Sequence, residues 1–274
     1  MPRLIKPTTP ARRKLSYGDF EVLSKKRPEK SLTVTLQSHA GRDKHGRISI
    51  RHRGGAAKRL YRKIDFKFLP FTGEAIVTAL EYDPNRSAFI CLLTMPDQSK
   101  KYILAANQME VGQTVTSGVS KRITLGSRSK LADIGVGVKI HNIELQPGRG
   151  GQVVRSAGTG ATVTAKEGKY AYIRMPSSEI RKILIECMAS VGSVSNATHN
   201  RIRISKAGRS RHMGIRPTVR GKAMNPVSHP HGGGEGVNPI GLIHPKTPWG
   251  KPALGYRTRR NKRTTKYILQ RSTK

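Results

Sequence analysis

From Asp65 to about Ser195, apolar and polar residues alternate with a period of two, in short runs broken by turn formers. The first clear strand is predicted over residues 75–82 (AIVTALEY), stopped by Asp83-Pro84-Asn85. Further runs follow at 89–93, 101–104 and 111–116, at the spacing of a small barrel. A second set starts after Gly126, with strands expected over 137–145, 161–165, 170–174 and 182–186. The Gly- and Ser-rich break at 126–132, with a short turn over 130–134, marks the expected domain boundary. So many short strands would leave exposed edges unless each sheet closes on itself. The pattern therefore predicts an all-β protein of two small barrels in series.

Outside this region the pattern changes. Only residues 205–213 read as helical, for one or two turns, with Ser205 placed to cap them. From Gly214 to Gly255, Gly and Pro recur so often that no helix or sheet is expected to persist. Too few apolar side chains occur there to bury, so this end should be disordered until it meets a surface. The division expected is a 1–64 extension, barrels over 65–126 and 127–200, and a 201–274 extension.

Charge explains what that surface is. The chain has 274 residues and a formal net charge of +36, with 52 Lys+Arg against 16 Asp+Glu. Residues 1–64 hold 18 basic and 4 acidic side chains, residues 65–186 hold 16 and 11, and residues 187–274 hold 18 and 1. The middle has ordinary globular composition and the ends do not. Such a chain repels itself unless a polyanion neutralises it, and nucleic acid does so with release of condensed counterions. An anionic membrane would require an apolar span or a basic amphipathic helix, and the sequence offers neither. Cys91 and Cys187 have no CxxC spacing and read as reduced core thiols. The N-terminal residues show no signal-peptide or transit-peptide pattern, which favours a bacterial cytoplasm or an organelle-encoded protein.

Two basic regions are candidates for RNA contact. In the first, Arg51 and Arg53 precede Gly54-Gly55, and Lys58, Arg59, Tyr61, Arg62 and Lys63 follow. Small residues let backbone approach a phosphate, guanidinium forks bridge its oxygens, and Tyr61 offers a ring to an unpaired base. In the second, Arg201-Ile202-Arg203-Ile204 puts two arginines on one face of a strand and two isoleucines towards the core. Lys206, Arg209, Arg211, Arg216, Arg220 and Lys222 continue it, and Arg257, Arg259, Arg260, Lys262 and Arg263 repeat the pattern near the end. Arg86, beside the first strand's turn, belongs with them. Against these stand the bland readings of solvated charge, or of Arg203 pairing a barrel carboxylate.

The segment 224–236 (MNPVSHPHGGGEG) invites an enzymatic reading through Ser228, His229, His231 and Glu235. Nothing fixes three metal ligands there, and neighbours in sequence seldom form a triad. A loop packed against RNA through Asn225, His229, His231 and Gly232-Gly233-Gly234 accounts for it better. Gly148-Arg149-Gly150-Gly151 lacks the ending of a phosphate loop and reads as a turn. Trp249, the only tryptophan, stands in the basic tail, placed to stack on a base or pack on a nearby proline.

These motifs carry a resemblance. RHRGG…KRLYRKIDF at 51–66, EYDPNRS at 81–87, KAGRSR at 206–211, MNPVSHPHGGGEG, TPWGKPALG and RTRRNKR resemble bacterial-type ribosomal protein L-two of the large subunit nearly end to end. The resemblance implies an OB-fold followed by an SH3-like barrel, with both extensions threaded into large-subunit rRNA. It implies proximity of His229 and His231 to the peptidyl transferase centre, a part in subunit association, and other ribosomal proteins and the small subunit as partners. It implies no cofactor beyond RNA-associated Mg, no membrane and no small-molecule substrate. The family usually has Gly-His at Ala56-Ala57, Asp at Ser228 and Trp at His212. Without that Asp, His229 lacks a partner to orient it, which points to a structural role. Three functions were weighed: a structural rRNA binder, an RNA-processing enzyme using His229, and a DNA-compacting protein. The first is expected.

Overall fold

The computed structural model describes residues 2–118, 124–236, 238–255 and 257–272. They fall into two compact units, one of residues 1–37, 58–209 and 265–274, the other of 38–57 and 210–264.

The first unit is built almost wholly of antiparallel strands. β1 (Arg3–Leu4) pairs with β2 (Ser16–Tyr17), and β3 (Thr33–Thr35) with β4 (Leu60–Arg62). β5 (Ala75–Glu81), β6 (Ile90–Thr94), β7 (Lys100–Leu104) and β8 (Thr114–Val115) form a sheet ordered β7-β6-β5-β8. β5 does not keep a single inside face, because its register with β6 slips between Val77 and Ala79. Val77 and Leu80 consequently join one core with Cys91, Leu93, Ile103 and Val115. Ala79 instead joins Ile90, Leu92 and Tyr102 in a second cluster, packed by Leu32 and Ile64 from beside β3 and β4. Each fully buried Val, Leu or Ile contributes roughly 1.5–3 kcal/mol, so both faces of this sheet hold it together. Tyr102 ties the layers: its hydroxyl donates to Glu81 Oε2 at 2.8 Å and accepts the Glu29 N–H at 2.9 Å. Burial of Glu81 raises its carboxyl above the ordinary range, partly opposed by that phenol.

The second sheet has seven strands. β9 (Arg128–Lys130), β10 (Lys139–His141), β11 (Ala161–Glu167), β12 (Tyr170–Arg174), β13 (Ile180–Leu184), β14 (Met188–Val191) and β15 (Ile268–Gln270) run in the order β15-β13-β12-β11-β10-β14-β9. Leu131, Ile134, Ile140, Ile143, Val163, Ile173 and Ile183 fill its interior. The architecture is all-β, an OB-fold followed by an SH3-like barrel. Both cysteines are buried and free; burial pushes the Cys91 thiol up, and that of Cys187 to about 12.

Beneath β9 and β10 lies a polar knot. Arg128, fully buried, donates from Nη2 to Glu144 Oε1 at 3.0 Å and from Nη1 to the Asn142 carbonyl at 2.8 Å. Glu144 also accepts the N–H groups of Gly150 at 3.0 Å and Met188 at 3.1 Å. The 148–151 segment is thus a barrel turn whose Gly151 leaves no room for a side chain, since a Cβ would lie 1.9 Å from Asn142 Oδ1. His141 is buried with Nδ1–H on the Gly192 carbonyl at 2.9 Å, and burial lowers its pKa to about 4, helped by Arg128. A depressed folded pKa means the unfolded chain binds the proton first. The His141 contribution to stability is therefore present above its ordinary pKa and is lost as pH falls from about 6.5 towards 4. In an NMR titration the His141 resonances should stay those of a neutral ring until close to pH 4. A midpoint in the ordinary histidine range would show that water reaches it.

Several sequence expectations need correction. β9 lies where a boundary turn was expected, and β14 was missed, because Arg128-Ser129-Lys130 and the small residues of Met188–Val191 lack a strong apolar alternation. The helix is shorter, α1 (Ala207–His212), and Ser205 does not cap it. Ser205 sits at φ 63° with its hydroxyl donated to the Ala11 carbonyl at 2.9 Å. Residues 201–204 alternate in exposure as expected, arginines out and isoleucines half-buried, but they are not part of a sheet. Arg203 is exposed and pairs no carboxylate among the described residues; its main chain binds Ser16, through both N–H and carbonyl. Within the 214–255 stretch the regular structure is a three-residue 3-10 turn at Gly221–Ala223, and β15 lies beyond it.

The second unit has short bridges but no core. Arg42 bridges Ile48 within a hairpin, Arg53 bridges Ile215, and Lys246 bridges Pro252. Among its described residues only Gly214 and His229 are buried.

Candidate nucleic-acid interface

In the second unit, residues 51–57 run against 212–217. Gly54 N–H donates to the Gly214 carbonyl at 3.0 Å, Ala57 N–H to His212 at 2.9 Å, and Arg216 N–H to His52 at 3.0 Å. His52 Nδ1–H adds a bond to the Pro217 carbonyl at 3.0 Å. With His52 turned inward, Arg51 and Arg53 face out on either side of it. Arg51 lies over the Trp249 ring at 5.2 Å, so the lone tryptophan finds a guanidinium rather than a core. Arg51, Arg53, Arg216 and Arg220 have no carboxylate partner among the described residues. Arg211 is half-buried with Nη1 unpaired among them.

The 224–236 loop closes on itself. Ser228 and His229 N–H groups donate to the Asn225 carbonyl, Gly232 N–H to His229, and Gly233 N–H to Met224. His231 N–H donates to His229 Nδ1 at 3.0 Å, and Lys246 N–H to His231 Nε2 at 2.7 Å. A ring nitrogen that accepts carries no proton, so these bonds place the proton on Nε2 of His229 and Nδ1 of His231. The rings are 4.7 Å apart, tilted by 59°. His229 Nδ1 is thus oriented by a main-chain amide and not by a carboxylate, while Ser228 and Glu235 are exposed. No group of three or more His, Cys, Asp or Glu side chains with metal-binding geometry occurs among the described residues. The glycines serve the loop's own packing: at Gly234, φ 84°, a Cβ would lie 2.0 Å from Asn238 Nδ2.

The first unit divides its basic residues by task. Lys58, Lys63, Arg201, Arg203 and Lys206 are exposed. Arg62 and Arg86, expected on RNA, converge on fully buried Asp83, at 4.0 and 2.6 Å, and Arg59 donates to the Pro84 carbonyl at 3.1 Å. Arg209 donates to the Ser16 carbonyl at 2.9 Å and covers the Tyr17 ring at 4.6 Å. Tyr61 is half-buried in β4, opposite Val34. In the second unit, Arg257, Arg259, Arg260, Lys262 and Arg263 are exposed, with Arg259 donating to Thr264 Oγ1 at 2.8 Å.

Sequence reasoning missed the 41–50 hairpin. Arg42, Ile48 and Ile50 of that hairpin join Arg51, Arg53 and Arg216 around a cleft of about 520 Å³. The signal was present in Asp43-Lys44-His45-Gly46, a turn-forming tetrad between basic residues.

Two family models match the chain. That described as Ribosomal Proteins L2, RNA binding N-terminal domain, covers residues 29–117. That described as Ribosomal Proteins L2, C-terminal domain, covers residues 124–250. With most of its length accounted for by these two domains, the chain belongs to the ribosomal protein L2 family, RNA-binding proteins of the large ribosomal subunit.

Proposed function

We propose that this protein is a structural, non-enzymatic constituent of the large subunit that braces rRNA near the peptidyl transferase centre and aids subunit association. The observation that carries this reading is a unit of two chain segments, lined with arginines, that has no buried apolar side chain among its described residues. Such a unit is ordered most readily by an external polyanion, and folded RNA supplies one with closely spaced phosphates. In this reading the barrels form a rigid base, and the loop holding His229 and His231 lies towards the catalytic RNA as a spacer. In the same reading the chain divides into a 1–64 extension, barrels over 65–126 and 127–200, and a 201–274 extension. The small subunit, other ribosomal proteins and RNA-associated Mg complete its surroundings in the cytoplasm.

Salt dependence tests the reading. Each phosphate neutralised contributes a slope of roughly −0.7 to −0.9 to log K against log salt. Replacing Arg51, Arg53 and Arg216 together by Gln should flatten the slope for an rRNA fragment by about two to three. Arg62→Gln, whose guanidinium faces Asp83, should leave the slope nearly as it was. An unchanged slope in the triple variant would show that those three side chains point away from RNA.

A further inference from the structure

The cleft of about 520 Å³ has a chemistry that a run of basic residues alone does not specify. Arg42, Arg51, Arg53 and Arg216 are among its lining residues, and no Asp or Glu among the described residues lines it. The hairpin's one acid, Asp43, is turned onto its own backbone, where one carboxylate oxygen accepts the N–H groups of His45 and Arg47, both at 2.9 Å. Arg42, Arg53 and Arg216 have no ion pair among the described residues. One wall is aliphatic: Ile48 and Ile50 are 62% and 59% exposed on a unit with no apolar core for them to join. The floor is made of small residues, with Gly54 so close to Ala40 that a Cβ would stand 3.3 Å from the Ala40 Cβ. The mouth is fixed by main chain, since the N–H groups of Ser49 and Ile50 both donate to the Gly41 carbonyl, at 2.9 and 3.0 Å.

We infer that this cleft seats a single unpaired nucleotide of RNA, with its base against Ile48 and Ile50 and its flanking phosphates on Arg42, Arg53 and Arg216. The inference rests on the RNA-binding reading above and makes it specific. A phosphate backbone alone would satisfy the arginines and leave two isoleucines in water. An apolar ligand would cover the isoleucines and leave the guanidiniums without counter-charge. A base with its own phosphates on either side answers both demands, and the volume lies within the roughly 300–1,000 Å³ of pockets that take small ligands. Several cations around one base favour a nucleotide held within a strand, whose neighbours bring further phosphates, over a free mononucleotide.

The test uses the full-length protein and two short RNA hairpins that differ only in one bulged adenosine. The bulged hairpin should bind about tenfold tighter, the scale at which stacking and burial of one base are felt. Ile48→Ser with Ile50→Ser should abolish that preference while the salt slope persists, and Ile48→Val with Ile50→Val should keep most of it. Both positions are largely exposed, so the serines do not disturb a core. A 4-thiouridine at the bulge should crosslink to residues 40–55. Equal, salt-dependent binding of the two hairpins by the wild type would overturn the seat and leave RNA binding intact. So would a preference that survives the serines. Failure to bind either hairpin would sink both readings.

Discussion

Replacing Glu144 by Ala should cost the second barrel about 3–5 kcal/mol, the usual range when one member of a buried ion pair is removed. Glu144 is the hub of three bonds to otherwise unsatisfied donors. One carboxylate oxygen takes Arg128 Nη2 and the Gly150 N–H, and the other takes the Met188 N–H, all within 3.1 Å. Without the carboxylate, a guanidinium with no exposed surface keeps only the Asn142 carbonyl, and burial already lowers the Arg128 pKa against the attraction of Glu144. Replacing both partners by leucine should cost less than the Glu144→Ala change alone, because no charge is then left buried and unpaired. Urea denaturation of the single and double variants measures the coupling. A loss under about 1 kcal/mol for Glu144→Ala would show that water enters and solvates the arginine.

The other large effect concerns proteolysis. Ordering a residue's backbone costs about 1–2 kcal/mol, and the described residues of the 38–57 and 210–264 segments bury no apolar side chain to offset it. In the free protein, trypsin should cut within these segments at least a hundredfold faster than within the barrels, as local opening near zero free energy implies. On a saturating rRNA fragment those cuts should slow by a similar factor. Cleavage at equal rates in the free and bound states would contradict folding coupled to RNA.

The barrels were legible because their signal is local. Ala75 to Glu81 alternates, ends at Asp83-Pro84, and becomes β5 with nearly the expected bounds. What escaped depends on distant partners. Arg128-Ser129-Lys130 is a strand only because β14 pairs with it, and its arginine is buried only because Glu144 lies opposite. The pairing of Arg62 and Arg86 with Asp83 was hidden likewise, because Asp83, in a turn signal, gave no hint that it would be fully buried between them. The 224–236 loop was recognised as a unit, but the internal packing of Gly232, Gly233 and Gly234 was not. Their crowding against Asn225, Pro226 and Asn238 exists only in the folded loop.

A three-residue strand near the end changes the topology of the basic arm. Because Ile268–Gln270 zips onto β13, residues 210–264 are a lasso with both feet on the barrel, not a whip with a loose tip. A lasso enters a cavity in RNA only as a doubled cord, and it cannot be reeled through a closed ring. Either the RNA wraps around it after the last strand has seated, or that strand seats last. On the proposed RNA-bracing role, the order of particle assembly is constrained by this one short pairing. Closing so long a loop costs little extra as its length grows, since the entropy rises only logarithmically.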